Sequence, residues 1–148
     1  MPGVDYRVTV RPNGTDLRLR NIGNRLKDLR TPMTRSATYM ERSVGNRFRA
    51  APWVPLSENT IKWHPNRAGG KPLNDTGQLK MSVTGGAIKR IDKLEMYFGT
   101  ALPKAKLHNF GGRTKFGYVP ARKFLYFDTQ DESMIKRIFQ DYIEELVD

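Results

Sequence analysis

Apolar residues recur at helical spacing at both ends of this 148-residue chain, and that periodicity constrains its fold more than any other feature. Near the C-terminus the steps of three and four are typical of an amphipathic helix and fall on Ile135, Ile138, Phe139, Tyr142, Ile143 and Leu146. Asp128 can cap this helix, and Asp131 and Glu132 follow in the first turn, where acidic side chains are favourable. The pattern predicts a helix over residues 129–147.

The N-terminal third predicts a strand and two helices. Tyr6, Val8 and Val10 alternate with polar residues, which indicates a short half-buried strand over residues 4–11. Two helices are predicted within residues 16–48, separated at Thr31–Pro32. Asp16 caps the first helix, and the apolar stripes consist of Leu19, Ile22, Leu26 and Leu29, then Met33, Ala37, Met40, Val44 and Phe48.

The middle of the chain predicts short elements joined by long connections. Residues 51–72 are rich in proline and contain both tryptophans, so a long loop is expected there, with one helical turn capped by Ser57. A short helix through Met81, capped by Asp75 or Thr76, comes next. Two apolar runs around Asp92–Lys93 then predict a β-hairpin over residues 87–99.

The last part of the middle region combines glycine, cations and aromatic residues. Residues 103–109 predict a short helix, and residues 118–127 an extended segment around Pro120. Between them the sequence GGRTKFGY predicts a projecting loop that can adapt to a neighbouring molecule. Its exposed members are candidate interface residues: Arg113, Lys115 and Phe116.

Together these elements predict an α+β fold, in which a small, mainly antiparallel sheet is packed by helices from both ends of the chain. The length and a hydrophobic content of 38% fit a single domain over residues 1–148. No secretory leader or membrane-spanning stretch is recognisable in the sequence, so synthesis in a cytoplasm is expected.

Charge is distributed unevenly along the chain. The formal net charge is +11, yet residues 128–148 carry seven acidic and two basic side chains, a local charge of −5, and residues 1–127 carry +16. Such polarity suits either nucleic-acid binding or electrostatic stacking on copies of the chain or on partners. Arginines occur on all sides of the two predicted N-terminal helices. This distribution favours solvent-exposed helix surfaces over a nucleic-acid-binding surface.

The sequence offers little for catalysis or metal binding. Cysteine is absent, which excludes disulfides and thiolate chemistry. His64 and His108 lack carboxylates at metal-binding spacing, and neither glycine pair forms a phosphate-binding motif. We therefore predict no enzyme activity, no metal and no cofactor, and we interpret His108 as a hydrogen-bonded packing residue. Trp53 and Trp63 have two equally favoured roles: they either pack over the edge of the core or bind a partner.

Four motifs in a fixed order resemble the phage virion morphogenesis family, whose members include tail completion proteins of Mu-like phages. They are WVPLSENTI from Trp53, LNDTGQLKMS over residues 73–82, AKLHNFG over residues 105–111, and PARKFL over residues 120–125. The resemblance covers roughly residues 17–147. Asn74 before Asp75 and the bulky Tyr126–Phe127 pair depart from the expected pattern.

The resemblance implies a non-enzymatic virion protein at the neck, where the head meets the tail. A homo-hexameric ring is expected, with a dodecamer as the alternative; its partners would be copies of itself and neighbouring neck, connector and tail-tube or terminator proteins, with passing contact to genomic DNA and no membrane. In this view HNFGG, over residues 108–112, forms a turn that permits a close backbone approach, and His108 and Arg122 orient the backbone. Arg122, Trp53 and Trp63 are also candidate interface residues. The exposed acids of the last helix, Asp141, Glu144 and Glu145, would face arginines of a neighbour or merely solvate the surface. A basic nucleic-acid-binding module is the main alternative, and a small nuclease is a third.

Overall fold

The computed structural model describes residues 4–9 and 27–147 of the chain. In chain order its elements are β1 Val4–Thr9, α1 Arg30–Ala50, α2 Glu58–Trp63, a 3₁₀ turn at Pro65–Arg67, α3 Gln78–Ser82, β2 Ile88–Ile91, β3 Glu95–Thr100, α4 Lys104–Phe110, β4 Gly112–Thr114, β5 Gly117–Val119 and α5 Thr129–Val147. One sheet has the strand order β1-β3-β2, and a second sheet pairs β4 with β5. The predicted α+β class is confirmed.

The long N-terminal helix follows its predicted stripe but begins earlier than expected. Helix α1 starts at Arg30, so Pro32 lies in its first turn, where a missing backbone N–H costs nothing. The Asp28 carboxylate accepts a hydrogen bond from the Arg30 backbone N–H at 3.2 Å and pairs with its guanidinium at 2.6 Å. This contact with Arg30 holds the pKa of Asp28 at about 2. The predicted first helix lies mostly outside the described residues, as does its cap Asp16.

The predicted loop over residues 51–72 contains more regular structure than expected. Helix α2 and the 3₁₀ turn lie within it, because Ser57 accepts a hydrogen bond from the Thr60 backbone N–H at 3.1 Å and so begins a helix that runs to Trp63. In α3 the N-cap position belongs to Gly77, which is left-handed at φ 82°, while Thr76 Oγ1 accepts the Gln78 N–H at 3.3 Å. The single helical turn predicted at Ser57 is therefore an underestimate.

The two hairpins give one confirmation and one correction. The hairpin predicted over residues 87–99 is present as β2 and β3, closed by a hydrogen bond from Asp92 N–H to the Glu95 carbonyl at 2.8 Å. The segment predicted as a projecting loop is instead a short antiparallel hairpin, β4 paired with β5, in which Arg113 faces Tyr118. Thr114 shapes its turn, because Thr114 Oγ1 donates to the Gly117 carbonyl and accepts from the Phe116 N–H.

The described residues divide into two compact units. Unit 1 comprises residues 41–88 and 99–126 with Val4, and unit 2 comprises residues 5–9, 27–40, 89–98 and 127–147. Buried apolar side chains of unit 1 are Val44, Phe48, Leu79, Val83, Ala105, Phe124 and Leu125; those of unit 2 are Leu29, Met33, Ala37, Met40, Met96, Phe98 and Ile135. Helix α1 contributes residues to both units, and the single-domain organisation stays a prediction.

Helix α5 has the predicted bounds and the predicted cap. Asp131 N–H donates to the Asp128 carboxylate at 2.8 Å, and Asp128 N–H donates to the Asp131 carboxylate at 3.3 Å, which closes a reciprocal cap. Asp131 is also buried and accepts a hydrogen bond from the Tyr39 hydroxyl at 2.9 Å. Among the described helices, none is both long enough and apolar enough to cross a membrane.

Candidate functional site

The segment 120–126 is held to the rest of unit 1 by buried polar contacts. Asn109 Oδ1 accepts hydrogen bonds from the backbone N–H groups of Phe124 and Leu125, both at 3.0 Å, and Asn109 is itself buried. Arg47 donates to the carbonyls of Phe124 and Tyr126 at 3.3 and 2.8 Å, and its guanidinium stacks 3.7 Å from the centre of the Tyr126 ring. These contacts satisfy backbone groups that would otherwise be buried without partners.

Arg122 belongs to this internal framework. Its guanidinium donates to the carbonyls of Val54 and Pro55 at 2.9 and 2.8 Å, and only 7% of the residue is exposed. Burial lowers the pKa of Arg122. Trp53 extends the same attachment, since its indole N–H donates to the Lys123 carbonyl at 2.7 Å and its ring meets Phe48 edge-on at 5.3 Å. Trp53 and Arg122, two of the candidate interface residues, thus bind other residues of the same chain.

The glycine turn before this segment allows a close backbone approach, as the sequence predicts. Gly111 has φ 73°, and a Cβ atom there would lie 2.8 Å from the Ala121 nitrogen and 2.9 Å from the Val119 carbonyl oxygen. No larger residue fits without a shift of the backbone. The Arg122 N–H donates to the His108 carbonyl at 2.8 Å, so the turn and the extended segment run side by side.

A polar cavity of about 360 Å³ opens beside His108. Lys104, Arg122 and Gln78 line it, and Lys104 donates to the Gln78 side chain at 2.9 Å. Burial lowers the pKa of His108, and the charges of Lys104 and Arg122 lower it further. Both effects favour the neutral imidazole, and its Nδ1 atom has no hydrogen-bond partner among the described residues. The predicted packing role holds for the ring, but that nitrogen is not bonded.

Three aromatic side chains form an exposed surface in unit 1. Trp63, Phe116 and Tyr118 are 75%, 85% and 69% exposed. They line a groove of about 780 Å³ between α2 and the β4–β5 hairpin, which we call the aromatic groove. Lys115 lies beside it, with its Nζ atom 5.0 Å from the centre of the Phe116 ring. The structure brings Trp63, Lys115 and Phe116 together here, and it places Trp53 and Arg122 in the framework instead.

The acidic helix is partly engaged within its own subunit. Glu145 accepts two hydrogen bonds from the Arg35 guanidinium, at 3.0 and 3.2 Å, and this contact raises the pKa of Arg35. Glu144 accepts a long contact of 3.5 Å from Gln140. Asp141 and Glu144 are exposed, and neither forms an ion pair within 4 Å in the described part of the chain. The helix therefore keeps two carboxylates for solvent or for a partner.

Sequence reasoning missed three of these residues. Arg47 falls between Val44 and Phe48 at stripe spacing, so its position on α1 already signals a buried arginine. Asn109 occupies the last turn of α4 between His108 and Phe110, which gives only a weak signal. Tyr118 ends the predicted projecting loop but was not among the candidate interface residues. For catalysis, the described residues contain no group of three His, Cys, Asp or Glu side chains able to hold a metal ion.

Comparison with known proteins identifies relatives of the chain. Residues 12–144 match the phage virion morphogenesis family. Over 122 residues, 80% of this chain and 81% of the relative, the chain is 34% identical to the protein named Mu-like prophage FluMu G protein 2 from Haemophilus influenzae. No solved structure matches the chain.

Proposed function

Because this chain belongs to the phage virion morphogenesis family and so has a structural role in phage assembly, we propose that it forms a ring at the neck of a tailed bacteriophage virion. The ring completes the tail and joins it to the head. The protein is present in the host cytoplasm during assembly and in the neck of the finished particle. Its action is binding alone, without catalysis and without a cofactor.

The observation that carries this proposal is the aromatic groove. A subunit that stays alone in water rarely exposes several large aromatic side chains side by side, since their burial is favourable. Trp63, Phe116 and Tyr118 together supply an anchor of the kind that dominates protein–protein binding. They lie on a short hairpin and a short helix, and none of them takes part in the hydrogen bonds of Arg122.

A ring requires that one face of a subunit meets a different face of the next. We propose a homo-hexamer, with a dodecamer as the alternative, flanked by connector proteins on one side and tail-tube or terminator proteins on the other. The unequal charge of the chain supports two different faces, since residues 128–148 are acidic and the remainder is basic.

Native mass spectrometry of the purified protein and electron microscopy of complete virions test this function. The expected result is a closed oligomer in solution and a ring of the same copy number at the neck. A protein absent from the particle, present as one copy, or assembled into an open filament would overturn it.

A basic nucleic-acid-binding module is the second candidate, favoured by the charge of +16 on residues 1–127 and by cations beside exposed aromatic rings. A monomer that binds a short duplex tightly, with an affinity that falls steeply as salt rises, would support it. The neck ring predicts weak duplex binding by the closed oligomer and stable assembly at the same salt.

A further inference from the structure

We propose that the aromatic groove receives the C-terminal half of helix α5 from a second copy of the chain. The inference rests on the proposed ring, for which it names the two unlike faces that meet. The groove between α2 and the β4–β5 hairpin is one face, and the acidic turns of α5 over residues 140–147 are the other.

The groove is apolar in the middle and cationic at its border. Trp63, Phe116 and Tyr118 provide the apolar surface. None of the described residues that line the groove is acidic. On the hairpin side, Arg113 pairs in register with Tyr118 and Lys115 lies beside the Phe116 ring, and neither cation makes an ion pair within 4 Å in the described ranges. The partner that fits has apolar side chains beside carboxylates.

The adjoining cavity adds positive potential on the inner side of the groove. The two share Ser57, Thr60, Tyr118 and Val119 in their walls. Three cations, Arg67, Lys104 and Arg122, line this cavity against one carboxylate, that of Asp75. A carboxylate that approaches the groove therefore meets an attractive field from both the border cations and the cavity.

Helix α5 presents the matching chemistry at its C-terminal end. Residues 140–147 contain three acidic and no basic side chains. Glu145 is held by Arg35 of the same subunit, whereas Asp141 and Glu144 point to an exposed face. Ile143 is half-buried and adjoins Glu144 around the helix, so it can pack on the aromatic rings while the Glu144 carboxylate reaches the cations.

Two arginines of helix α1 are less available to this helix than the cations beside the groove. Arg35 is already occupied by Glu145, and Arg47 is buried against Tyr126. The cations of the hairpin keep their charge available at the surface. A groove on one subunit and a helix on the next form a heterologous contact that repeats around a ring.

Site-specific cross-linking tests the contact directly. Because the natural chain has no cysteine, single cysteines at Phe116→Cys and Glu144→Cys are unambiguous probes. A mixture of the two variants treated with a short bismaleimide should give a covalent heterodimer, and a chain that carries both should give a ladder of oligomers. Met81→Cys is the matched control, because Met81 is 63% exposed and does not line the groove. No heterodimer, equal cross-linking by the control, or Phe116→Cys linked only to itself would overturn the proposal.

Complementary variants test whether the contact drives assembly. A groove variant, Trp63→Ala with Phe116→Ala, and a helix variant, Asp141→Lys with Glu144→Lys, should each raise the concentration needed for assembly about tenfold or more. Mixed one to one, they retain one intact groove and one intact helix, so native mass spectrometry should show a heterodimer and no ring. Met81→Ala and Glu132→Lys should assemble like the unsubstituted chain.

The outcomes separate this contact from the ring itself. Assembly of the groove and helix variants at unchanged concentration would overturn the groove contact and leave a ring at the neck standing. Specific cross-links from Phe116→Cys to Glu144→Cys without a ring in the virion would instead overturn the neck function. An acidic helix of another phage protein that displaces α5 from the groove in the assembled particle would overturn the second-copy assignment.

Discussion

The β4–β5 hairpin and the segment 120–126 are neighbours in sequence, contain the same kinds of residue and have opposite environments. Both carry cations and aromatic rings, yet Arg122 and Phe124 are buried while Lys115 and Phe116 are exposed. The difference lies in the backbone. Around residues 120–126 carbonyl and N–H groups lose water and need Arg47 and Asn109 as partners, and Arg122 in turn serves the carbonyls of Val54 and Pro55. The two hairpin strands instead satisfy much of each other's backbone. Composition alone therefore separates framework from interaction surface poorly.

The same substitution at two phenylalanines should give the largest contrast. Phe124 is fully buried, so Phe124→Ala should lower the free energy of unfolding by about 3–5 kcal/mol through lost burial and a cavity. Phe116→Ala should change it by less than about 0.5 kcal/mol, because that ring is already in water. Urea denaturation of the monomeric protein measures both. Similar losses at the two positions would show that the hairpin belongs to the framework.

Two arginines should give a smaller contrast of the same kind. Arg122→Met keeps the aliphatic stem but leaves the carbonyls of Val54 and Pro55 without their charged donor, which should cost about 2–3 kcal/mol of stability. Arg113→Met lies on the exposed strand β4 and should cost less than about 0.5 kcal/mol. Thermal or urea unfolding with both variants decides this. A neutral Arg122→Met would mean that water replaces the guanidinium at those carbonyls.

The sequence predicted the elements that depend on local patterning. The stripe from Met33 to Phe48, the Asp128 cap and the close approach at Gly111 all follow from spacing or from residue type, and all three are present. The order of the four motifs identified the family correctly. These features depend on interactions between residues that are close together in the sequence.

The remaining features depend on contacts between distant parts of the chain. The attachment of Arg122 to Val54 and Pro55 joins residues more than sixty positions apart, so no local pattern distinguishes it from the exposed Arg113. The hairpin was missed because β4 and β5 have three residues each and a glycine-rich sequence that is typical of loops. The sequence alone also does not tell whether Trp53 and Trp63 cover the core or bind a partner. Only tertiary contacts show that Trp53 belongs to the framework and Trp63 to the exposed groove.

The half-buried His108 and the exposed His64 should differ in how much each makes the stability of the protein depend on pH. The pKa of His108 lies below its ordinary value of 6.5 because of burial first and of Lys104 and Arg122 second. The unfolded chain therefore binds a proton more readily than the folded one, so stability should be full above pH 6.5 and should fall as pH drops through the window below it. His108→Gln should flatten this decline, and the exposed His64→Gln should retain it. Denaturation at pH 8, 7, 6 and 5 measures the effect, which is smaller than the preceding ones because the ring is only half-buried. An unchanged decline in His108→Gln would assign it to other groups.

The acidic helix should show the smallest effect on stability and a clear effect on assembly. Replacement of Asp141, Glu144 and Glu145 by their amides removes charges that steer association, and it removes the Arg35–Glu145 pair, which contributes little to stability because both side chains are exposed to solvent. The fold should remain intact, because these side chains lie off the stripe that contains Ile135. Assembly should be slower, and in the unsubstituted chain it should also slow as salt rises, since exposed charges are screened over about 8 Å at physiological salt. Stopped-flow light scattering measures both rates.

Glu145→Gln alone is the matched control: Arg35 engages that carboxylate within the subunit, so its loss should change the rate less than loss of Asp141 and Glu144 together. Rates that ignore both salt and the triple replacement would assign these acids to solvation of the outer surface, and the apolar side of the groove would then have to supply the association by itself.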